Sequence, residues 1–278
     1  GSGTLGGTTT KTAVAGVASF SGQGLNINLV GTDKVLRATK QNLSGRGGTS
    51  AVSVDSSVFT ITHAPASQVV FTTQPSASTV AGVAFATQPV VEIRDSLGNV
   101  VTTGADATAV ITLTLQAGSG TLGGATTKSA VAGVANFSGQ GLNINLVGTD
   151  KVLRATKENL SGGGGTASVS VDNSAFTITH APASQVVFTT QPSASTVAGV
   201  AFAMQPVAEI RDSLGNVVTT GADATAVITM ALHAGSGTLG GTTTKTAVAG
   251  VASFSGQGLN INLVGADKVL RATKQDLS

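Results

Sequence analysis

The chain has no cysteine, no tryptophan and no tyrosine among its 278 residues. Without cysteine there is no disulfide, no thiolate nucleophile and no cysteine-based metal site. That leaves secretion open but excludes the disulfide-stapled style of extracellular domain. Without Trp or Tyr there is no carbohydrate-stacking platform, and nine phenylalanines are the whole aromatic complement. Phe alone suits core positions where no hydroxyl or indole N–H needs a partner. Charge is scarce as well: 10% of residues are charged, with 15 Lys+Arg against 13 Asp+Glu. An excess of two over the whole chain is no nucleic-acid footprint, and no stretch clusters basic residues with aromatics. No apolar run approaches the 18 residues that suggest a membrane-spanning helix, and the N-terminus carries no signal pattern. The remainder is 41% apolar and rich in Gly, too apolar for disorder but bland on the surface.

What is present is repetition. The run Gly1-Ser2-Gly3-Thr4-Leu5-Gly6-Gly7 returns at Gly118 and again at Gly235, a period of 117 residues without gaps. Residues 1–117 and 118–234 differ at 14 positions, and residues 235–278 differ from 1–44 only at Thr32/Ala266 and Asn42/Asp276. Repetition defines the unit of structure before any other reading, and a unit of 117 residues can bury its own core. The clearest punctuation is His63-Ala64-Pro65-Ala66-Ser67, repeated as His180-Ala181-Pro182-Ala183-Ser184. A short Ala/Pro/Ser step between β-rich runs reads as a semi-rigid domain junction. The expected domains are therefore 1–63, the C-terminal part of a unit; 64–180, one complete unit; and 181–278, a unit lacking its last strand or strands. With no initiator Met and ends in mid-unit, the chain reads as a window cut from a longer array.

Within one unit nearly everything is strand-like. Gln68–Thr73, Thr79–Ala86, Val90–Asp95, Val100–Thr103, Ala107–Leu115, Thr126–Val131, Gly133–Phe137, Leu142–Val147, Lys151–Thr156, Ala167–Val171 and Phe176–Thr179 are the expected strands, with β-branched and aromatic residues in alternation. Asp95-Ser96-Leu97-Gly98-Asn99 reads as a tight turn, its Asp and Asn bonding local backbone and its Gly supplying positive φ. Asp33–Leu43 has a helix-like cap and terminator, but the alternation of Leu36 and Ala38 against Val35 and Arg37 favours a strand. Short, evenly spaced strands predict an all-β fold of tandem antiparallel β-sandwich modules.

Phe71-Thr72-Thr73-Gln74-Pro75, the run from Phe85 through Asp95-Ser96-Leu97-Gly98-Asn99 to Val101, Gly133-Val134-Ala135-Asn136-Phe137-Ser138-Gly139 and the closing Phe176-Thr177-Ile178-Thr179 resemble the bacterial immunoglobulin-like (Big/invasin-like) repeats of very large prokaryotic surface proteins. The resemblance covers the whole unit, and its motifs are turn and core signatures that specify fold better than function. It implies an immunoglobulin-like sandwich of seven or more strands, arrayed as a stalk, shaft or fibre. Family members often carry a Tyr in the stretch matching Gly148–Thr156; Lys151 stands there, with Lys34 and Lys268 in the other units. The tyrosine-corner hydrogen bond is therefore absent.

Gly118-Ser119-Gly120-Thr121-Leu122-Gly123 satisfies GxGxxG, but β-prone Ala125-Thr126-Thr127-Lys128 follows where a dinucleotide site needs a helix. His63, His180 and His233 are the only histidines, and none has a ligand-spaced partner. Calcium at the junctions would need six to eight oxygen ligands, whereas Glu92, Asp95, Asp106, Asp150 and Asp172 are scattered, and Asp95 reads as a turn former. A Lys–Asn isopeptide staple would need a buried acid, and Glu92, like Glu209, alternates outward. The sequon Asn42-Leu43-Ser44 recurs at Asn159-Leu160-Ser161 but becomes Asp276 in the third unit. No Ser or Thr has an adjacent base or nucleophile-elbow context. No catalytic, cofactor-binding or metal-binding residue is assigned, and the chain reads as no enzyme.

The expectation is a structural segment of a prokaryotic cell-surface or extracellular filament. Its alternative is a multivalent adhesin whose repeats bind a surface or glycan through linked weak sites. The expected partners are copies of itself: neighbouring units in one long polypeptide, or chains that complete partial units by strand donation. No nucleic acid and no membrane insertion of this segment are expected.

Overall fold

A computed structural model describes residues 2–42, 50–161 and 167–275. Its described residues form β-sheets, antiparallel except for one parallel pairing, and two single-turn 3-10 segments, Ala105–Thr108 and Ala222–Thr225. The middle unit has the fullest set of paired strands among the described residues. On one side, Gln68–Thr73 and Val134–Asn136 flank Val90–Arg94. On the other, Val110–Ala117 lies between Thr127–Ser129 and the ten-residue strand Gly148–Lys157. That long strand serves two partners along its other edge. Its second half pairs with Val169–Asp172 and its first with Phe176–Thr179, which pairs in parallel with Ser78–Val80.

Alternation sends every second side chain inward. Val91 and Ile93 are buried while their neighbours in Val90–Arg94 are half-exposed, and Leu153 and Ala155 are buried while Arg154 reaches out to Asp172. These inward residues meet Phe71, Ile111, Leu113, Phe137, Phe176 and Ile178 in one core. Phe85 and Phe176 touch edge to face with centroids 5.4 Å apart, a favoured arrangement of ring quadrupoles. A second core, from Ala183 to Ile261, shares no residue with the first, which runs from Ala66 to Ile178.

Several strands differ from their expected bounds. Thr79–Ala86 is a strand only at Ser78–Val80, because the chain turns at Ala81-Gly82, where Gly82 has φ +75°. Val100–Thr103 contributes a single bridge, Val100 to Arg94. Ala107–Leu115 begins later, at Val110, because the 3-10 turn at Ala105–Thr108 precedes it. In the first unit, Asp33–Leu43 is extended as Gly31–Lys34 and Arg37–Lys40, with Leu43 outside the described residues.

Charge is used sparingly but deeply. Lys157 and Asp106 form an ion pair at 2.6 Å with side chains 2% and 7% exposed, and Ser161 adds a hydroxyl and a backbone N–H to the carboxylate. Burial alone would raise the Asp106 carboxyl, but Lys157 and Ser161 hold it below the ordinary carboxylate value. Lys274 and Asp223 repeat the pair at 2.6 Å in the third unit.

Candidate functional site: the joint between units

Consecutive units meet at a joint built from Thr179–Ser184 and the Asp212–Asn216 turn. Thr179 and His180 are consecutive, yet they are held by different units. The Thr179 carbonyl accepts from Ala81 N–H at 2.8 Å. His180 is tied forward: Thr220 N–H donates to its Nε2 at 3.3 Å, and Nδ1 meets the Ala181 carbonyl at 2.9 Å. An acceptor Nε2 leaves Nδ1 as the proton-bearing nitrogen. Ala181 N–H then donates to Asp212 Oδ2 at 3.0 Å and Ser184 N–H to the Arg211 carbonyl at 2.8 Å. The semi-rigid junction expected from Ala-Pro-Ala is thus bonded down from its first residue, with no free linker.

Asp212 is the hub. Its side chain is fully buried, and it accepts from the backbone N–H groups of Ala181, Leu214 and Asn216 and from the Asn216 carboxamide. Burial alone would raise this carboxyl. The bonds from the Asn216 side chain and from the Ala181, Asn216 and Leu214 amides outweigh it and lower the value. Hydrogen bonds to the charged form stabilise it in this way. Asp95 has the same donors one period earlier, and the same lowering.

The hub fixes Asn216, and Asn216 holds the preceding unit. Its Oδ1 accepts from Val147 N–H at 3.1 Å, and its Nδ2 donates to the Asn145 carbonyl at 3.0 Å. One carboxamide so presents a donor and an acceptor to two backbone groups of the middle unit, as a neighbouring strand would. At the earlier joint Asn99 makes the same two bonds, 3.1 Å to Val30 N–H and 3.0 Å to the Asn28 carbonyl. The turn also brings an apolar contact. Leu214 Cδ1 lies so close to Gly82 of the middle unit that a Cβ there would stand 2.8 Å from it. Glycine is thus required at position 82 by the close approach as well as by its backbone.

The structure disperses the other residues weighed from sequence. His63 repeats the bonds of His180, with Nε2 at 2.9 Å from Thr103 Oγ1, while His233 meets Arg271 at 2.6 Å. Glu92 pairs with Arg94 and Asp172 with Arg154, each at 2.7 Å, and Asp150 accepts from Thr149 at 3.1 Å. Among the described residues no group of three His, Asp or Glu side chains is placed to hold a metal ion. The Gly118–Gly123 loop wraps Lys151, whose ammonium donates to the Ser119 carbonyl, and Asn145, whose Oδ1 accepts from Thr121 N–H at 2.8 Å. Burial pushes the Lys151 amine below its usual value. Asn159 is exposed, and Leu160 after it is buried. Leu43 and Ser44 of the earlier sequon lie outside the described residues.

Comparisons with protein-family models, with curated proteins and with solved structures return no match. Sequence reasoning placed Asp95–Asn99 as a turn but missed that Asn99 and Asn216 grip the unit before them. Their partners lie 69 and 71 residues upstream, and the one sequence signal is the recurrence of Asp-Ser-Leu-Gly-Asn once per period.

Proposed function

We propose that this chain is a segment of a long repetitive prokaryotic cell-surface or extracellular filament or stalk, in which immunoglobulin-like sandwiches of the Big/invasin-like kind act as spacers under tension. The observation that carries this reading is the joint. It occurs twice, built each time from the same residues with the same two carboxamide bonds at 3.1 and 3.0 Å. A device repeated at a constant interval produces constant spacing, which is what a stalk needs from its parts. The near-identity of the units supports it further, since substitutions such as Ser19/Asn136, Thr87/Met204 and Leu113/Met230 do not gather in one loop set as a recognition surface would require. The expected setting is extracellular and the expected partners are other units of the same kind.

Small-angle scattering from chains of two, three and four units tests the reading. The maximum dimension rises by a constant few nanometres per added unit, consistent with strands of about 10 residues spanning about 33 Å. A dimension that grows as for a compact globule or a flexible string sinks it.

A further inference from the structure

Among the described residues one strand pairing is parallel, and it lies in the middle unit. Ser78–Val80 runs beside Phe176–Thr179, with Ser78 opposite Thr177, Thr79 opposite Ile178 and Val80 opposite Thr179. Bonds continue the ladder at both ends: Thr177 N–H donates to the Ala77 carbonyl at 3.0 Å, and Ala81 N–H to the Thr179 carbonyl at 2.8 Å. Phe176–Thr179 is the last strand before the junction at His180, and Ser78–Val80 is the second after the junction at His63.

Strand direction decides how such a pair is loaded. A pull along the chain enters Ser78–Val80 at its first residue and leaves Phe176–Thr179 at its last. Because the two strands point the same way, those are opposite ends of the ladder. The strands can part only by sliding lengthwise, so the evenly spaced bonds of a parallel pair share the load. Pulled from one end instead, the same bonds would open in turn. Sliding also drags Phe176 and Ile178, 4% and 1% exposed, out of the core, where Phe176 meets Phe85. Gly148–Lys157 holds the other edge of the same strand. The joint braces the far end of the ladder, since Leu214 of the next unit lies against Gly82, and Gly82 N–H donates to the Ile144 carbonyl at 2.9 Å. Gln68–Thr73, which precedes the ladder, has only Val90–Arg94 as a paired strand.

We propose that the parallel ladder of Ser78–Val80 and Phe176–Thr179 is the mechanical clamp of the unit, the contact whose rupture sets the force at which the unit opens. The proposal rests on the reading of the chain as a spacer under tension. Scattering judges the spacing and pulling judges the clamp, so each can fail without the other.

The chain contains no cysteine, so single-molecule handles can be placed at chosen sites on the full chain. Handles at Ser67→Cys and Ser184→Cys, both exposed, load the ladder from opposite ends. Handles at Ser67→Cys and Ser174→Cys load it from one end, because exposed Ser174 precedes Phe176. Forced opening reads the unfolding barrier. The first geometry is expected to open the middle unit at several times the force of the second; equal forces overturn the inference. A second reading locks the ladder. Ser78 and Thr177 face each other on strands about 4.8 Å apart, within the separation a disulfide bridges. In a chain pulled by peptide tags at its two ends, oxidation of a Ser78→Cys/Thr177→Cys variant is expected to abolish the opening event of the middle unit, and reduction to restore it. An event that persists at the same force after oxidation, shortened only in length, would place the barrier at Gln68–Thr73 and overturn the inference.

Discussion

Val147 and Val264 occupy matching positions in the middle and third units, yet Val147 is half-buried under the next unit's turn while Val264 is 77% exposed. Lys151 is 1% exposed and Lys268 half-exposed, and Leu153 is buried where Leu270 is not. Sequence hardly differs between the two, so surroundings account for the contrast. Part of each unit's burial is supplied by the strand that closes it and by the turn of the unit that follows. Nearest-neighbour stabilisation of this kind is the rule in repeat arrays, and it makes the two units natural controls for each other.

The largest effect is expected from Phe176→Ala. Removing a buried Phe costs about 3–5 kcal/mol, and it should make the middle unit resemble the third. Hydrogen exchange read by mass spectrometry should show faster exchange across Gly148–Lys157, approaching that of Val269–Lys274. Unchanged protection would mean that the strand's backbone bonds, not its Phe, close the sandwich. Asp106→Ala leaves Lys157 buried without its carboxylate, a change worth about 3–5 kcal/mol when one partner of a buried pair is removed. Asp223→Ala should cost less, because the Asp223–Lys274 pair is more exposed, at 11% and 4% against 7% and 2%. Equal losses by local exchange would remove that distinction.

Smaller effects belong to the joint. Gly82→Ala introduces a methyl 2.8 Å from Leu214 at φ +75° and should cost about 1–2 kcal/mol from the left-handed backbone alone. Gly199→Ala has the same φ and nothing within 4 Å, so the difference between the two reports the contact with the next unit. The pH dependence is smaller again. Asp95 and Asp212 have lowered folded values, so their contribution is complete above the unfolded carboxylate value of about 3.9. It is lost as pH falls through the lowered value. Inter-unit motion should therefore increase only below about pH 4, and Asp212→Asn should remove that acid response at the second joint. An onset near neutral pH would point to other groups.

The sheet was legible wherever local alternation sets it. Gln68–Thr73 and Phe176–Thr179 have their expected bounds, because β-branched and aromatic residues at period two leave little choice. Legibility failed where a segment's fate depends on distant partners. Gly82 ends its strand early because Ala81 N–H turns to the Thr179 carbonyl and Gly82 N–H to that of Ile144. Asp106 looked like one of several scattered acids, and the Lys157 that buries it lies on another strand. The joint was hidden for the same reason: Asn216 reads as an ordinary turn residue until Asn145 and Val147 are placed beside it.

The central claim is that the carboxamide clamp holds consecutive units in one fixed relation. Two spin labels on cysteines introduced at exposed Thr108 of the middle unit and Thr225 of the third, compared with the same pair carrying Asn216→Ala, test it directly through their distance distribution. The account predicts one narrow peak that broadens when Asn216 is lost; a distribution already broad in the parent and unchanged by Asn216→Ala would contradict it.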